Sequence, residues 1–501
     1  MLKRLFRWVV VLGVVGGAAA YFFWPERYAV NAPLRLLLFH RGIDPPAAHA
    51  VLARLKPPPG FSVTRYAEGL AFVRFLRMTP AGDLLASQPR SGRIVLLERD
   101  ANCDGRADGV RTVVDALNQP HGLDLHGAWL YVAENDAIGR IRFDPQTRAT
   151  SGAYERLVRG LPTGGAHWTR TLGFGPDGWM YVAMGSSCNA CIEEDARRAS
   201  IQRYHEDGSG AEAYATGLRN AVGFDWRPGT DELYATDNGR DLLGDSFPPD
   251  ELDLVVKGGF YGWPFANGNR VPDPDVGAGH ESQIAASLPP VHEFRPHNAA
   301  LGITFVRGAN APAEYRGAAL VALHGSWNRT KKDGYKVVSL HWDAAGQISE
   351  RDFLTGFEKD EDVIGRPVDV AEGPDGALYV SDDYAGSIFR VALAGSGTAA
   401  AGASAVPKAA ASDPLQGMPP EEAWQRADRG QALFVKMSCA SCHDTEHPPA
   451  GVVPKPLAGL ASRYDVAALD AYLKTPNPPM PAFPFTDDER RDLAVYLLTR
   501  R

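Results

Sequence analysis

GFGPDGWMYVAMG, residues 173–185, decides the fold of the long central part of the chain. A Gly-Pro-Asp-Gly turn is followed at once by a short apolar, β-prone run, the pattern of a tight turn feeding a strand. The same arrangement recurs as TPAGDLLAS (79–87), LHGAWLYVAEN (125–135), WRPGTDELYATDNG (226–239), YRGAALVALHGSW (315–327) and EGPDGALYVSDD (372–383). Partner strands follow as GRIVLLE (92–98), GRIRF (139–143), SIQRY (200–204), YKVVSL (335–340) and SIFRV (387–391). Alternating apolar residues between turns indicate antiparallel strands. Six copies, most of them about 45–60 residues apart, imply a six-bladed β-propeller. A sandwich would not repeat one hairpin register in this way. The wider gap from about 240 to 315 holds an inserted excursion, of the kind that shapes a channel mouth.

Outward from the propeller, GSGTAAAGASAVPKAAASDP (395–414) lacks the large apolar residues needed for a core and reads as a linker. Beyond it, MSCASCHD carries Cys-x-x-Cys-His, the attachment signature of haem c: Cys439 and Cys442 for the vinyl groups and His443 for the iron. Met480, in the proline-rich PNPPMPAF, is the expected second axial ligand. Thr486 and Glu489 form a candidate capping box for the last helix. This segment resembles class I cytochromes c. The resemblance implies that Gly430, Phe434 and Tyr496 pack the terminal helices, and that Pro456-Leu457 braces the proximal histidine.

At the other end, Lys3, Arg4 and Arg7 precede the uncharged run Trp8–Trp24, which would reach about 25 Å as a helix. It reads as a membrane anchor with a cytoplasmic N-terminus, or as a signal peptide cut near Ala18-Ala19-Ala20. Either way the body is expected in the periplasm. A net charge of −8 argues against a nucleic-acid partner. Of the 5 cysteines, Cys188 and Cys191 are expected to form a local disulfide, as suits an exported protein, and Cys103 is expected to be buried.

Polar residues gather where the repeat strands begin and end, in GGAHWTRTLGFGPDG (164–178), TGLRNAVGF (216–224), ALHGSWNRTKKDGYKVV (322–338) and DVIGRPVDVAEGPDG (362–376). Oxidising an alcohol needs a base for the hydroxyl proton, and histidine suits that near neutral pH. Haem accepts single electrons, so a two-electron organic cofactor should stand between substrate and haem. No GxGxxG opens a βαβ unit, so nothing points to NAD or FAD. Gln119 and His121 in NQPHGLDL are also placed toward the channel. DANCDGRAD (100–108) has the oxygen spacing of an EF-hand start but Arg111 at the twelfth position; a calcium loop and a plain Asp/Gly turn both remain open.

These motifs resemble the soluble PQQ-dependent glucose dehydrogenases, and more closely their sorbosone-dehydrogenase-like branch, over about 60 to 393. The resemblance implies His167 as catalytic base and Arg219-Asn220 as a PQQ-binding pair. It implies carbonyls of Gly239-Arg240 as calcium ligands, and Glu251 and Tyr261, within DELDLVVKGGFYGWP (250–264), as ligands of a structural calcium. Arg329 and Arg366 would supply the remaining PQQ contacts. Ala166 replaces the acid that precedes the base in the glucose enzymes, so their sugar specificity does not carry over.

The expected architecture is mainly β: an anchor or signal segment (1–27), a connecting segment (28–57), a six-bladed propeller (58–393), a linker (394–417) and an all-α cytochrome c domain (418–501). The expected function is a quinohaemoprotein dehydrogenase using PQQ, Ca²⁺ and haem c. Its partners would be a sugar or related alcohol or aldehyde, a respiratory acceptor (a cytochrome, quinone or terminal oxidase) and the inner membrane. A calcium-dependent lactonase and a non-catalytic propeller that docks a cytochrome partner are the alternatives.

Overall fold

The computed structural model describes residues 48–394 continuously, Asn31 and Pro46 before them, and, in the C-terminal segment, 418–437, 464–474, 485–499 and isolated positions including Cys439 and His443. It divides into two compact units, with the boundary at Ala400.

In the first unit the stretch 173–185 is a hairpin: Arg170–Phe174 pairs antiparallel with Met180–Met184, Phe174 opposite Met180. Its turn closes because Gly178 N–H reaches the Gly175 carbonyl at 2.9 Å with Gly178 at φ +79°, a left-handed conformation that favours glycine. GPDG at 373–376 repeats the geometry, with Gly376 at φ +78°.

Six antiparallel sheets result. Blade 1 comprises 76–78, 84–88, 93–97 and 110–114, blade 2 comprises 123–126, 129–133, 137–144 and 149–159, and blade 3 comprises 170–174, 180–184, 200–204 and 212–216. Blade 4 uses 221–226, 233–237, 250–255 and 292–294, and blade 5 uses 300–305, 319–323, 336–342 and 348–354. Blade 6 joins 367–372, 378–382 and 387–393 to the early strand Phe61–Ala67, which closes the ring with Phe61 opposite Leu393. All six repeats thus place their apolar run on the second strand of a blade.

These second strands are buried along nearly their whole length rather than on alternate residues, as in Leu84–Gln88 and Leu378–Asp382. Each blade packs against a neighbour on both faces, so both sets of side chains leave water. Fully buried Leu, Ile or Phe side chains such as Leu85, Ile94 and Phe389 each contribute about 1.5–3 kcal/mol. Acids on innermost strands link successive blades: Asp124 accepts Phe174 N–H (2.9 Å), Asp225 accepts Phe305 N–H (2.7 Å) and Asp369 accepts Leu76 N–H (2.9 Å).

The excursion lies between the third and fourth strands of blade 4. Gly259–Phe260 pairs in parallel with the outer strand of blade 3, and Trp263 Nε1–H then donates to Asn189 O at 3.2 Å.

The second unit contains helices Pro420–Lys436, Val466–Lys474 and Asp487–Thr499. The first and last cross at Gly430, where any Cβ would collide with Asp492 O, and Phe434 meets Tyr496 with ring centroids 5.6 Å apart. The Thr486/Glu489 capping box forms: Glu489 N–H donates to Thr486 Oγ1 (3.2 Å) and Thr486 N–H to Glu489 Oε2 (2.9 Å). Among the described residues no helix is long and apolar enough to cross a membrane; the Trp8–Trp24 anchor expectation lies outside them.

Candidate active site

All six innermost strands begin at the same mouth of the channel, and residues just before them, or just after the second strands, converge there. They are Arg74 (blade 1), His121 (blade 2), His167 and Trp168 (blade 3), Arg219 and Asn220 (blade 4), His324 (blade 5), and Arg366 and Asp383 (blade 6).

His167 is held from behind. Its Nδ1 lies 2.9 Å from Ser186 O and 3.0 Å from Ser186 Oγ. A carbonyl only accepts, so Nδ1 carries the proton and Nε2 presents its lone pair. Burial, and after it the charge of Arg219, push the ring down to about 3, so it is neutral at physiological pH. Asn220 converges on the same point: a Cβ on Gly185 would strike both Asn220 Oδ1 and His167 Cβ, so only glycine lets them close in.

Arg219 donates to Asn189 O (3.0 Å), Asn189 Oδ1 (2.9 Å), Gly239 O (2.8 Å) and Asp241 Oδ2 (2.8 Å). Its guanidinium therefore ties blade 3 to the 238–241 turn. That turn is braced further by Gly239 N–H on Asp250 Oδ1 (2.8 Å) and by Arg240 on Asp273 and Asp275. A cation ligated by the Gly239 carbonyl would share that oxygen with Arg219, which leaves one of its two lone pairs.

Across the mouth runs a buried charge relay. Arg74 Nη1 meets Asp383 Oδ2 at 2.6 Å, with 7% and 5% of the two side chains exposed. Asp383 Oδ1 is 3.0 Å from His324 Nε2, and Arg366 Nη2 is 2.9 Å from His324 Nδ1. A guanidinium can only donate, so His324 Nδ1 accepts and Nε2–H donates to Asp383. The ring is neutral, in keeping with burial and Arg366 pushing it down to about 4. Burial works to raise Asp383, but His324, Arg74 and Arg366 hold it well below the usual carboxylate range. Two arginines thus share one carboxylate here, which leaves a net positive charge facing a ligand.

Around this mouth several buried polar atoms lack a hydrogen-bond partner among the described residues: Asn220 Oδ1, both amide atoms of Asn328, and Nε of Arg74 and Arg366. An anionic, carbonyl-bearing ligand such as PQQ, with three carboxylates, supplies what these donors and acceptors lack. His121 is fully buried between Phe75 (4.3 Å) and Trp168 (5.5 Å), below the mouth rather than open to it. Gln119 is exposed at the rim. Arg329 lies further out, its Nη1 donating to Asp245 O (2.6 Å) and Pro296 O (2.9 Å).

Glu251 belongs to a second cluster. It faces Asp237 across the strand pair, with Asp253 two residues on. Burial and mutual repulsion push Glu251 up to about 8 and Asp253 well above its ordinary value. Asp253 is fully buried with no partner for either oxygen among the described residues. The ligand oxygens of these three acids do not all come within 4.8 Å of one another, so they crowd without closing into a cation cage, and Arg219 eases the charge of Asp237 alone. Tyr261 borders the cluster, but its hydroxyl donates to Leu254 O (2.7 Å) and accepts from Val256 N–H (2.9 Å), so only its main-chain carbonyl could ligate.

In the 100–108 loop, Asp100 and Asn102 accept Asp104 N–H (2.9 Å each) and Asp100 Oδ2 accepts Gly105 N–H (2.7 Å), the arrangement of an Asp/Gly turn. Cys103 is exposed, not buried as expected: it sits on a loop tip with no core to enter. The Cys188–Cys191 disulfide is present.

In the haem unit, His443 N–H donates to Cys439 O at 3.1 Å, so the pair stands one helical turn apart. Cys442 and Met480 lie outside the described residues. A cavity of about 670 Å³ opens at the opposite mouth, lined by Arg77, Asp124, Asp225 and Arg307. Its acids are engaged by arginines and backbone amides, and its histidine, His126, stacks on Phe174 at 4.1 Å beside Glu206.

Sequence reasoning missed Arg74, His324, Asp383 and Asp253. His324 stood in the HGSWNR stretch and Asp383 in the SDD that ends the sixth repeat; both mark where a second strand reaches the mouth.

A protein of Borreliella burgdorferi with no assigned function is 38% identical over 217 residues, 42% of this chain and 56% of that protein. The pyrroloquinoline quinone-dependent pyranose dehydrogenase of Coprinopsis cinerea is 25% identical over 400 residues, 66% of this chain and 54% of that one. The chain therefore spans little more than half the length of either relative. The calcium structure of the Trichoderma reesei carbohydrate-active enzyme of family AA12 shares the fold at 21% identity and TM-score 0.59, covering 68% of this chain and 97% of that one. The model of cytochrome c oxidase, cbb3-type, subunit III matches residues 425–497. The TrAA12-like model matches residues 55–247 and 278–394, more than half of the chain, which thus belongs to that family of PQQ-dependent sugar dehydrogenase propellers and carries a C-terminal cytochrome c domain.

Proposed function

We propose that the protein is a quinohaemoprotein dehydrogenase, oxidising a sugar or a related alcohol or aldehyde and passing the electrons through haem c to a respiratory acceptor. The observation that carries this reading is His167, neutral with Nε2 unprotonated and within reach of the Arg219 charge, at the end of a propeller where Arg74 and Arg366 gather around Asp383 and His324, in a chain that also carries a haem-binding unit. Arg74 and Arg366, each with an Nε–H that lacks a partner among the described residues, would hold the carboxylates of PQQ, with Asn220 on the other side and Arg219, its N–H groups engaged by the 189 and 238–241 segments, adding its charge. When bound, PQQ supplies the two-electron acceptor for the substrate hydride, and haem c a one-electron exit.

The chain's own part is acid–base and positional. His167 Nε2 takes the substrate hydroxyl proton, while Ser186 O holds Nδ1–H and keeps the ring in the right tautomer. A bound anionic cofactor offsets the arginine charges that depress His167, raising its basicity when substrate is present. Ca²⁺ would be held by the Gly239-Arg240 carbonyls, beside which the Glu251–Asp253–Asp237 acids stand without closing on an ion. The disulfide and the haem c motif support a periplasmic location, with the N-terminal segment as its membrane attachment.

The test is to load protein carrying haem with PQQ and Ca²⁺ and screen sugars, alcohols, aldehydes and lactones. Substrate-dependent reduction of the haem band is expected, falling by about 10²–10⁴ in His167→Ala while PQQ affinity stays within about threefold. Haem that stays oxidised with every donor, or lactone hydrolysis without haem reduction, refutes the reading.

A further inference from the structure

The ring Cys188-Asn189-Ala190-Cys191, closed by its disulfide, touches both halves of the candidate site. On one side, Cys188 O accepts the Ser186 hydroxyl at 2.7 Å, and Ser186 is the residue that fixes His167 Nδ1. On the other, Asn189 gives Arg219 two acceptors, its carbonyl at 3.0 Å and its Oδ1 at 2.9 Å. The same Oδ1 accepts Asp241 N–H (2.9 Å) and Asn189 Nδ2–H donates to Asp241 O (3.0 Å), so every polar atom of the side chain is used. The excursion locks the ring from outside through Trp263 Nε1–H on Asn189 O. Just after the ring, Glu193 takes Ser187 N–H (2.6 Å) and Ser187 Oγ–H (2.7 Å). A four-residue loop with no regular structure would not by itself hold two separate catalytic-site groups in register, because each of its residues costs about 1–2 kcal/mol of backbone entropy to fix. The disulfide removes much of that freedom before folding.

We propose that this disulfide ring is the positioning element of the site, with Asn189 setting the direction of the Arg219 guanidinium and Cys188 O setting, through the Ser186 hydroxyl, the direction of the His167 ring. Neither residue touches substrate or cofactor. This inference rests on the PQQ-dehydrogenase reading for Arg219 but not for His167.

Two variants of the full haem-loaded chain separate the roles: Asn189→Ala, which keeps the disulfide, and the double variant Cys188→Ser/Cys191→Ser. Two readouts are needed: PQQ affinity from quenching of tryptophan fluorescence, and the imidazole ¹⁵N signals of His167 in PQQ-free protein, assigned by their loss in His167→Gln. Asn189→Ala is expected to weaken PQQ about tenfold or more, since the Arg219 guanidinium loses the side chain that fixes its direction, and to leave the His167 signals in place. The double variant is expected to weaken PQQ similarly and to shift the His167 ¹⁵N signals, as the Ser186 hydroxyl loses its hold, while Ser186 O keeps the proton on Nδ1. Wild-type affinity and an unchanged His167 spectrum in both folded variants overturn the proposal. If the double variant misfolds, Asn189→Ala decides alone: unaltered PQQ binding overturns the role of the ring at Arg219. If wild-type protein binds no PQQ, the dehydrogenase reading fails, while the His167 spectrum of the double variant still upholds or overturns the ring's hold on that histidine.

Discussion

Replacing Asp383 by asparagine would strip the one carboxylate that balances Arg74 and Arg366 while keeping its shape. Arg74 is 7% exposed and Asp383 5%, so neither charge can turn to water when the other is lost. Breaking a buried pair by removing one partner costs about 3–5 kcal/mol. His324 and Arg74 hold different oxygens of Asp383, so asparagine can serve only one of them and turns its NH2 on the other donor; the expected loss is the full range of about 3–5 kcal/mol, or roughly 4–7 °C in the melting temperature of the propeller. Urea unfolding followed by tryptophan fluorescence measures it. The neighbouring Asp382→Asn is the control. Asp382 is also buried, but one of its oxygens has no partner among the described residues and burial pushes it up to about 7, so neutralising it should cost less than about 1 kcal/mol. Saturating PQQ should recover more stability in Asp383→Asn than in wild type, because the ligand's carboxylates replace the missing charge. A loss below about 1 kcal/mol in Asp383→Asn, or equal losses in the two variants, would refute the charge balance drawn from the geometry.

His324, pushed down to about 4 from an ordinary value of 6.5, binds a proton more readily in the unfolded chain. Stability from this residue is therefore full above pH 6.5 and lost as pH falls toward 4, at up to about 1.4 kcal/mol per unit, and His324→Gln should flatten that slope in urea midpoints taken from pH 4.5 to 7; an unchanged slope counts against it. Asp253→Asn should stabilise the protein at neutral pH, by removing a buried acid that must take up a proton to fold; an unchanged urea midpoint counts against its burial without a partner among the described residues. Gly430→Ala forces a Cβ into Asp492 O where the two terminal helices cross, so the haem unit should lose about 1–3 kcal/mol and retain less haem by absorbance per protein, whereas normal haem content would refute the close crossing.

The propeller was legible because each blade repeats a turn whose glycine must adopt positive φ, and Gly178 and Gly376 do so. Two features were not legible. Burial of the second strands on both faces produces runs such as LLASQ and LYVSD, which alternation does not describe. The closing strand Phe61–Ala67 has no repeat signature, since its partner lies at the far end of the propeller sequence. At the candidate site, His167, Arg219 and Asn220 stood in local motifs, whereas Arg74, His324 and Asp383 matter only through one another. A relay between blades 1, 5 and 6 joins residues hundreds of positions apart, and no local pattern encodes it. Arg329 is expected, from the family resemblance, to supply a PQQ contact with Arg366, but its Nη1 donates to the main-chain carbonyls of Asp245 and Pro296.

The seam in blade 6 also determines how the molecule bears mechanical load. Ala394 N–H donates to Gly60 O at 2.7 Å, so the chain enters and leaves the ring at neighbouring points of one sheet. Tension between the segment before residue 60 and the tether after residue 394 would pull on Phe61 and Leu393 at the same end of an antiparallel pair, peeling its rungs one after another instead of shearing them together. The His167 mouth is built from the other blades and from the inner edge of this one. Such a force would open the ring at its rim before it strained the chemistry.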